Sequence, residues 1–173
     1  MLEILDRYGV KATFFMVGEN IDKHPEVFQQ VVAAGHAIGN HTYNHLKGWD
    51  VSLEEYLENV KKWEAAMNHH CPLSIVHCPL FRPPYGKATL QQRRALHKQG
   101  YRLIYWDILT RDYNAARTPE AMLRQIQRET RPGSIINFHD SLKSNERMLA
   151  VLPKAIEWLQ AQGYELNKLE IGD

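Results

Sequence analysis

Strand-prone and helix-prone segments alternate about six times along the 173 residues, with no hairpin-type turn between two strand-prone runs. That alternation limits the fold more than any single motif. Strands that cannot pair through tight turns pair in parallel, and the intervening helices serve as crossovers in an open sheet or a barrel. Ala12-Thr13-Phe14-Phe15-Met16-Val17 predicts a strand. His24 to Ala34 predicts a helix with Val27, Phe28, Val31 and Val32 on one face, opened by Pro25 and closed by Gly35. A short run at Ala37-Ile38 follows, then a long helix from Ser52 to about Asn68, where Ser52 and Glu55 form a capping-box pattern and Leu53, Tyr56, Leu57 and Val60 an apolar stripe.

Leu80-Phe81 leads into Arg82-Pro83-Pro84-Tyr85-Gly86, and Thr89 to Gln99 reads as a helix stopped by Gly100. Tyr101 to Trp106 then reads as a buried strand. Thr118-Pro119-Glu120 opens another helix, Pro132-Gly133 turns the chain, and Ser134 to Phe138 is strand-like. A last helix runs from about Glu146 to Gln162, with Tyr164 to Leu169 as a final strand. No repeat or linker interrupts the pattern, so the expectation is one domain over residues 1–173.

Net charge is +1, from 21 Lys+Arg against 20 Asp+Glu, which gives no support for a nucleic-acid partner. No apolar run approaches the ~20 residues that span a bilayer, so no membrane span is expected. Met1 to Tyr8 reads as an amphipathic helix carrying acids, not as the basic start of a signal peptide. Cys71 and Cys78 stand seven apart in a stretch that also holds His69, His70 and His77; the spacing fits a loop leading into a strand better than a zinc cluster.

In parallel α/β proteins reactive groups collect at the C-terminal ends of strands. Gly39-Asn40-His41-Thr42-Tyr43-Asn44-His45 follows one strand; if Thr42 to Leu46 is helical, His41 and His45 project about 40° apart on one face and could share a divalent ion. Arg82 is a fixed cation beside two prolines, suited to holding a carboxylate, and the backbone N–H that follows Pro84 could face an oxyanion. His139, with Asp140 after it, is a candidate general acid at the end of an apolar strand, and Asp107 and Asp112 are candidates to orient it.

These segments, from YGVKATFF and the HTYNH stretch through FRPPYG and WDILTRD to GSIINFHDS, occur in the order seen in the NodB-type polysaccharide deacetylases, carbohydrate esterase family 4, and the chain resembles that family along nearly its whole length. The resemblance implies an α/β fold, a distorted (β/α) barrel, and removal of acetyl groups from N-acetylglucosamine-containing glycans, a carbohydrate substrate. It implies that His41 and His45 are metal ligands, with zinc the expected ion, and that Arg82 holds the catalytic base. Tyr85 would donate its backbone N–H to the oxyanion, with Pro84 and Trp106 beside the substrate, and His139 would protonate the leaving amine.

Three positions depart from the family pattern. A Thr-Phe-Asp-Asp-Gly strand end, which supplies the base and a further metal ligand, belongs just before YGVKATFF and is not in this sequence, so the expectation is an N-terminally shortened domain without its first strand. Such a chain would have little or no deacetylase activity, and a non-catalytic glycan-binding remnant using Tyr43, Trp49, Tyr85 and Trp106 is the alternative. Leu109 stands where many members carry an acid, which leaves Asp107 or Asp112 to polarise His139. Asn137 stands where an apolar residue is usual.

Overall fold

The computed structural model describes residues 1–71 and 78–170. In chain order the elements are α1 (Leu2–Arg7), β1 (Thr13–Met16), α2 (Gly18–Lys23), α3 (Pro25–Ala33), β2 (Ala37–Asn40), α4 (Leu53–His70), β3 (Leu80–Phe81), α5 (Leu90–Lys98), β4 (Arg102–Leu103), β5 (Ile108–Leu109), α6 (Pro119–Glu129), β6 (Ile136–Asn137) and α7 (Asn145–Ala161). They form two compact units. One comprises Met1–Lys11 and Trp106–Asn167; the other comprises Ala12–Tyr105 with the described residues from Lys168 onward.

In the second of these units the strands form a four-stranded parallel sheet in the order β1-β2-β3-β4. Because the order follows the chain, each crossover returns its strand to the edge just formed. The longest crossover, α4, starts where Ser52 Oγ accepts the Glu55 N–H at 3.1 Å. Its buried face runs through Tyr56, Val60, Trp63 and Met67, at spacings of three and four residues. Tyr56 and Val60 meet Phe81, Leu96 and Tyr101 in one apolar cluster, which joins α4, β3 and α5. A complete reciprocal capping box starts α5: Gln92 N–H donates to Thr89 Oγ1, and Gln92 Oε1 accepts from Thr89 N–H.

The other unit pairs β5 with β6 in parallel, in the register Ile108↔Ile136 and Leu109↔Asn137. Its core holds Ile108, Ile126, Ala155 and Leu159, contributed by β5, α6 and α7. Thr118 Oγ1 caps α6 by accepting from Ala121 N–H at 3.2 Å. Gly163, at φ 81°, supplies the left-handed residue that ends α7.

Several expectations need correction. Thr42 to Leu46 is not a helix: Thr42 and His45 have φ of 64° and 56°, which no right-handed helix allows. The run from Tyr101 to Trp106 is strand only at Arg102–Leu103; pairing resumes at Ile108–Leu109 with a different strand, β6. Tyr164 to Leu169 forms no strand; there Leu169 N–H donates to Thr13 Oγ1 at 2.8 Å, a side-chain bond instead of a ladder bond. A short helix, α2, also precedes α3, the chain re-starting at His24 before Pro25. Of the His/Cys stretch, His69 and His70 end α4 and Cys71 and Cys78 are free thiols, while His77 lies outside the described residues.

Gly39 fixes how β1 and β2 pack, since a Cβ there would stand 2.4 Å from ring carbons of Phe15. Gly39→Ala should therefore cost roughly 1–3 kcal/mol. The check is a lowered urea midpoint at unchanged slope.

Candidate active site

The loop after β2 is held by buried polar side chains. Asn40 is fully buried: its Nδ2 donates to Val60 O at 3.3 Å and lies 3.1 Å from the Tyr101 hydroxyl, and its Oδ1 accepts from Thr42 N–H at 2.8 Å. Tyr101 in turn bonds Glu64. Asn59 on α4 reaches the same loop, its Oδ1 accepting from Tyr43 N–H at 2.8 Å and its Nδ2 donating to Asn44 Oδ1 at 3.1 Å. Further along, Gly18 and Glu19 donate backbone N–H groups to Thr42 O and Tyr43 O.

These restraints bring His41 and His45 together without a helix. Their ring centroids are 4.9 Å apart at 65°. His41 Nδ1 lies 2.6 Å from Arg82 O; the carbonyl can only accept, so Nδ1 carries the proton. The strained φ at Thr42 and His45 recurs at Tyr85 (59°) and Arg111 (56°), and all four lie in segments that follow strands. Such strain persists only where the surroundings over-determine it.

Arg82 is buried and projects from the end of β3. Its Nε donates to Ile104 O at 3.3 Å and its Nη2 to Tyr105 O at 3.0 Å, while the guanidinium stacks 4.1 Å from the Phe15 ring centroid. Burial lowers its pKa to about 10, which leaves the cation intact at neutral pH. Pro83 and Pro84 set up a tight turn in which Gly86 and Lys87 donate their N–H groups to Pro83 O and Pro84 O. Tyr85, half exposed, packs edge-on to His45 at 4.7 Å and to Trp49 at 5.4 Å.

In the unit built on β5 and β6, Asp112 is fully buried and grips His139 with both oxygens: Oδ1 lies 2.7 Å from His139 Nδ1, and Oδ2 accepts from His139 N–H at 2.7 Å. Arg147 Nε donates to Asp112 O, and Tyr113 packs edge-on to the His139 ring at 4.9 Å. Nδ1 therefore donates to the carboxylate, and Nε2 is the nitrogen free to exchange a proton. Asp107 does something else: its Oδ1 pairs with Arg131 at 3.3 Å and its Oδ2 accepts from Ile135 N–H at 2.9 Å, so it orders the entry to β6. Trp106 is half-buried beside it, and Asn137 is buried, its carbonyl accepting from Thr110 Oγ1 at 2.9 Å.

Among the described residues no group of three or more His, Cys, Asp or Glu could hold a metal ion. Two imidazoles with one orientation fixed suit a divalent ion, but catalytic zinc sites use about three protein ligands. Among the described residues His41 and His45 would supply two of these.

Residues 1–104 match the polysaccharide deacetylase family model. A chitooligosaccharide deacetylase of Azorhizobium caulinodans is 33% identical over 96% of this chain and 83% of its own length. Among solved structures, a peptidoglycan N-acetylglucosamine deacetylase in complex with a naphthalenyl N-oxidanyl-benzamide superposes with a TM-score of 0.91 at 28% identity, covering 97% of this chain and 77% of that one. A carbohydrate esterase family 4 pseudoenzyme from Bacillus anthracis gives 0.87 at 25% identity, over 97% of this chain and 57% of that one. The chain belongs to the polysaccharide deacetylase family, hydrolases that remove acetyl groups from carbohydrate. Its fold class is the α/β, distorted-barrel type of the NodB-like deacetylases.

Asn40 gave no signal in the sequence beyond preceding His41, yet it orders the loop. Asn40→Ala should strip partners from buried groups at Thr42 and Tyr101, costing about 2–4 kcal/mol. Thermal unfolding checks the loss, and broadened His41 and His45 ring resonances in NMR check that the loop has loosened.

Proposed function

We propose that the chain hydrolyses the acetamide of N-acetylglucosamine units in an oligo- or polysaccharide, releasing acetate and leaving a free amine. The observation that carries this reading is the bidentate hold of buried Asp112 on His139, in a chain of the polysaccharide deacetylase family. Water adds to the acetyl carbon and gives up a proton, which passes by way of His139 Nε2 to the nitrogen as the C–N bond breaks, leaving acetate and the amine. Asp112 stabilises the imidazolium before that transfer and fixes its tautomer. Tyr85 N–H, in the Pro83-Pro84 turn, is assigned to the carbonyl oxygen as it gains charge. His41 and His45 are assigned to a divalent ion, zinc by their donor chemistry, which when bound supplies Lewis-acid polarisation.

A second reading, a glycan-binding domain without turnover, draws on the exposed rings of Trp49 and Tyr85. The family includes a pseudoenzyme of similar fold, so this reading has precedent in kind.

Acetate release from an N-acetylglucosamine tetramer separates the two. Turnover that falls about 10²–10⁴-fold in His139→Ala supports hydrolysis. Asp112→Asn should lower the rate with little change in KM, because it alters the tautomer and not the binding surface. Tetramer binding without acetate release points to the second reading.

Zinc calorimetry tests the ligand assignment separately from turnover. Binding that disappears in His41→Ala and in His45→Ala is the expected result; binding unchanged by both removes these residues from the metal site.

A further inference from the structure

Where α7 begins, two residues go against the ordinary rules for a helix start. Ser144 stands at the N-cap, where a serine hydroxyl usually accepts a first-turn N–H, yet its side chain makes no cap bond. Arg147 is the third residue of the helix, and a cation in the first turn opposes the helix dipole. A further departure lies at Arg111, whose φ of 56° puts a long side chain in the left-handed region. Local rules broken together mark a place where something other than local stability sets the residue choice.

All three departures bear on Asp112 and His139. Ser144, fully buried, donates its hydroxyl to His139 O at 2.7 Å and accepts from Ser141 N–H at 3.1 Å. His139 is thereby held on both sides, since its N–H already donates to Asp112 Oδ2. Arg147 bridges two carbonyls with its guanidinium: Nε donates to Asp112 O at 2.6 Å and Nη2 to Lys143 O. The strained Arg111 sits one residue before Asp112, in a turn that Asn114 N–H closes on Arg111 O at 2.9 Å. One hydroxyl and one guanidinium at the start of α7 therefore hold the two loops from which Asp112 and His139 reach each other.

We propose that Ser144 and Arg147 are positioning residues for the proton-transfer pair. They act through main-chain carbonyls, Ser144 on His139 and Arg147 on Asp112, and so keep Asp112 Oδ1 on His139 Nδ1. A drift of about one ångström in either loop would break that bond and misplace the imidazole, the kind of error that costs on the order of a hundredfold in rate. The effect on rate rests on the deacetylase reading; the hold on the pair does not.

Kinetics with the N-acetylglucosamine tetramer and proton NMR of the imidazole test this. At low temperature, where exchange with water is slow, an Nδ1–H donated to a carboxylate resonates far downfield of amide protons. The His139 signal is assigned by its loss in His139→Ala. Arg147→Ala and Ser144→Ala should each lower kcat roughly ten- to a hundredfold with KM within about twofold, and in both the His139 signal should broaden or vanish. In a His139→Ala background the same substitutions should change the residual rate by less than about twofold, because the pair they serve is gone. Alanine is a good helix former at position 147 and Ser144 has no cap bond to lose, so both variants should fold, which circular dichroism verifies.

Unchanged kcat and signal in one variant remove that residue from the role; in both variants they overturn the proposal. A rate loss that leaves the signal in place, or that recurs in full in the His139→Ala background, also overturns it, since the two residues then act by another route. A protein that releases no acetate but loses the signal in both variants overturns the deacetylase reading and leaves the hold on the pair standing. No acetate and an unmoved signal overturn both.

Discussion

The loop that carries the histidine pair depends on one buried amide. Asn40 closes β2 with its backbone, while its side chain spends both donors and its acceptor on α4, Tyr101 and the loop itself. An amide in an apolar interior is costly unless fully bonded, so this position tolerates few arrangements of its neighbours. The apolar cluster of Tyr56, Val60, Phe81, Leu96 and Tyr101 fixes where those partners stand. Packing thus sets the frame and one polar residue transfers its precision to His41, much as Gly39 sets how closely Phe15, and with it the stacked Arg82, can approach.

The periodic signals in the sequence translated well where burial was one-sided. The stripe on α4 and the strand at Thr13–Met16 appear where expected, because an amphipathic segment has one way to bury its apolar face. Tyr101 to Trp106 misled because an apolar run reports burial and not pairing: its partner changes after Leu103, and a switch of sheet leaves no periodic trace. Tyr164 to Leu169 misled for a related reason. Alternating residues can cover a core without joining a ladder, and Thr13 Oγ1 takes the bond a strand neighbour would have taken.

At the candidate site, residue types were legible and geometry was not. On a helix a spacing of four would bring His41 and His45 together, but positive φ at Thr42 and His45 folds the loop so that the rings meet by another route. Choosing between Asp107 and Asp112 required the register of β5 on β6. With Leu109 opposite Asn137, Asp112 and His139 lie three and two residues beyond the paired ends and meet at 2.7 Å, while Asp107 sits ahead of the pairing, facing Arg131. Local sequence holds no information about that register. The bonds that organise the site from behind (Asn59 to the His41 loop, Arg147 to Asp112) span 15 to 35 residues and were equally invisible.

Cys78, just before β3, has its thiol turned inward, with Sγ donating to Ile38 O at 3.0 Å. Burial raises its pKa to about 11. At neutral pH the thiolate is then only on the order of one part in ten thousand, and the thiolate is the form that attacks disulfides and electrophiles. The side chain stands as a small hydrogen-bonding plug between β2 and β3, with the reactive thiolate disfavoured by burial. The sheet that presents His41 and Arg82 is thus tied, between β2 and β3, by a sulfur whose hydrogen bond does the work that a ladder N–H does elsewhere.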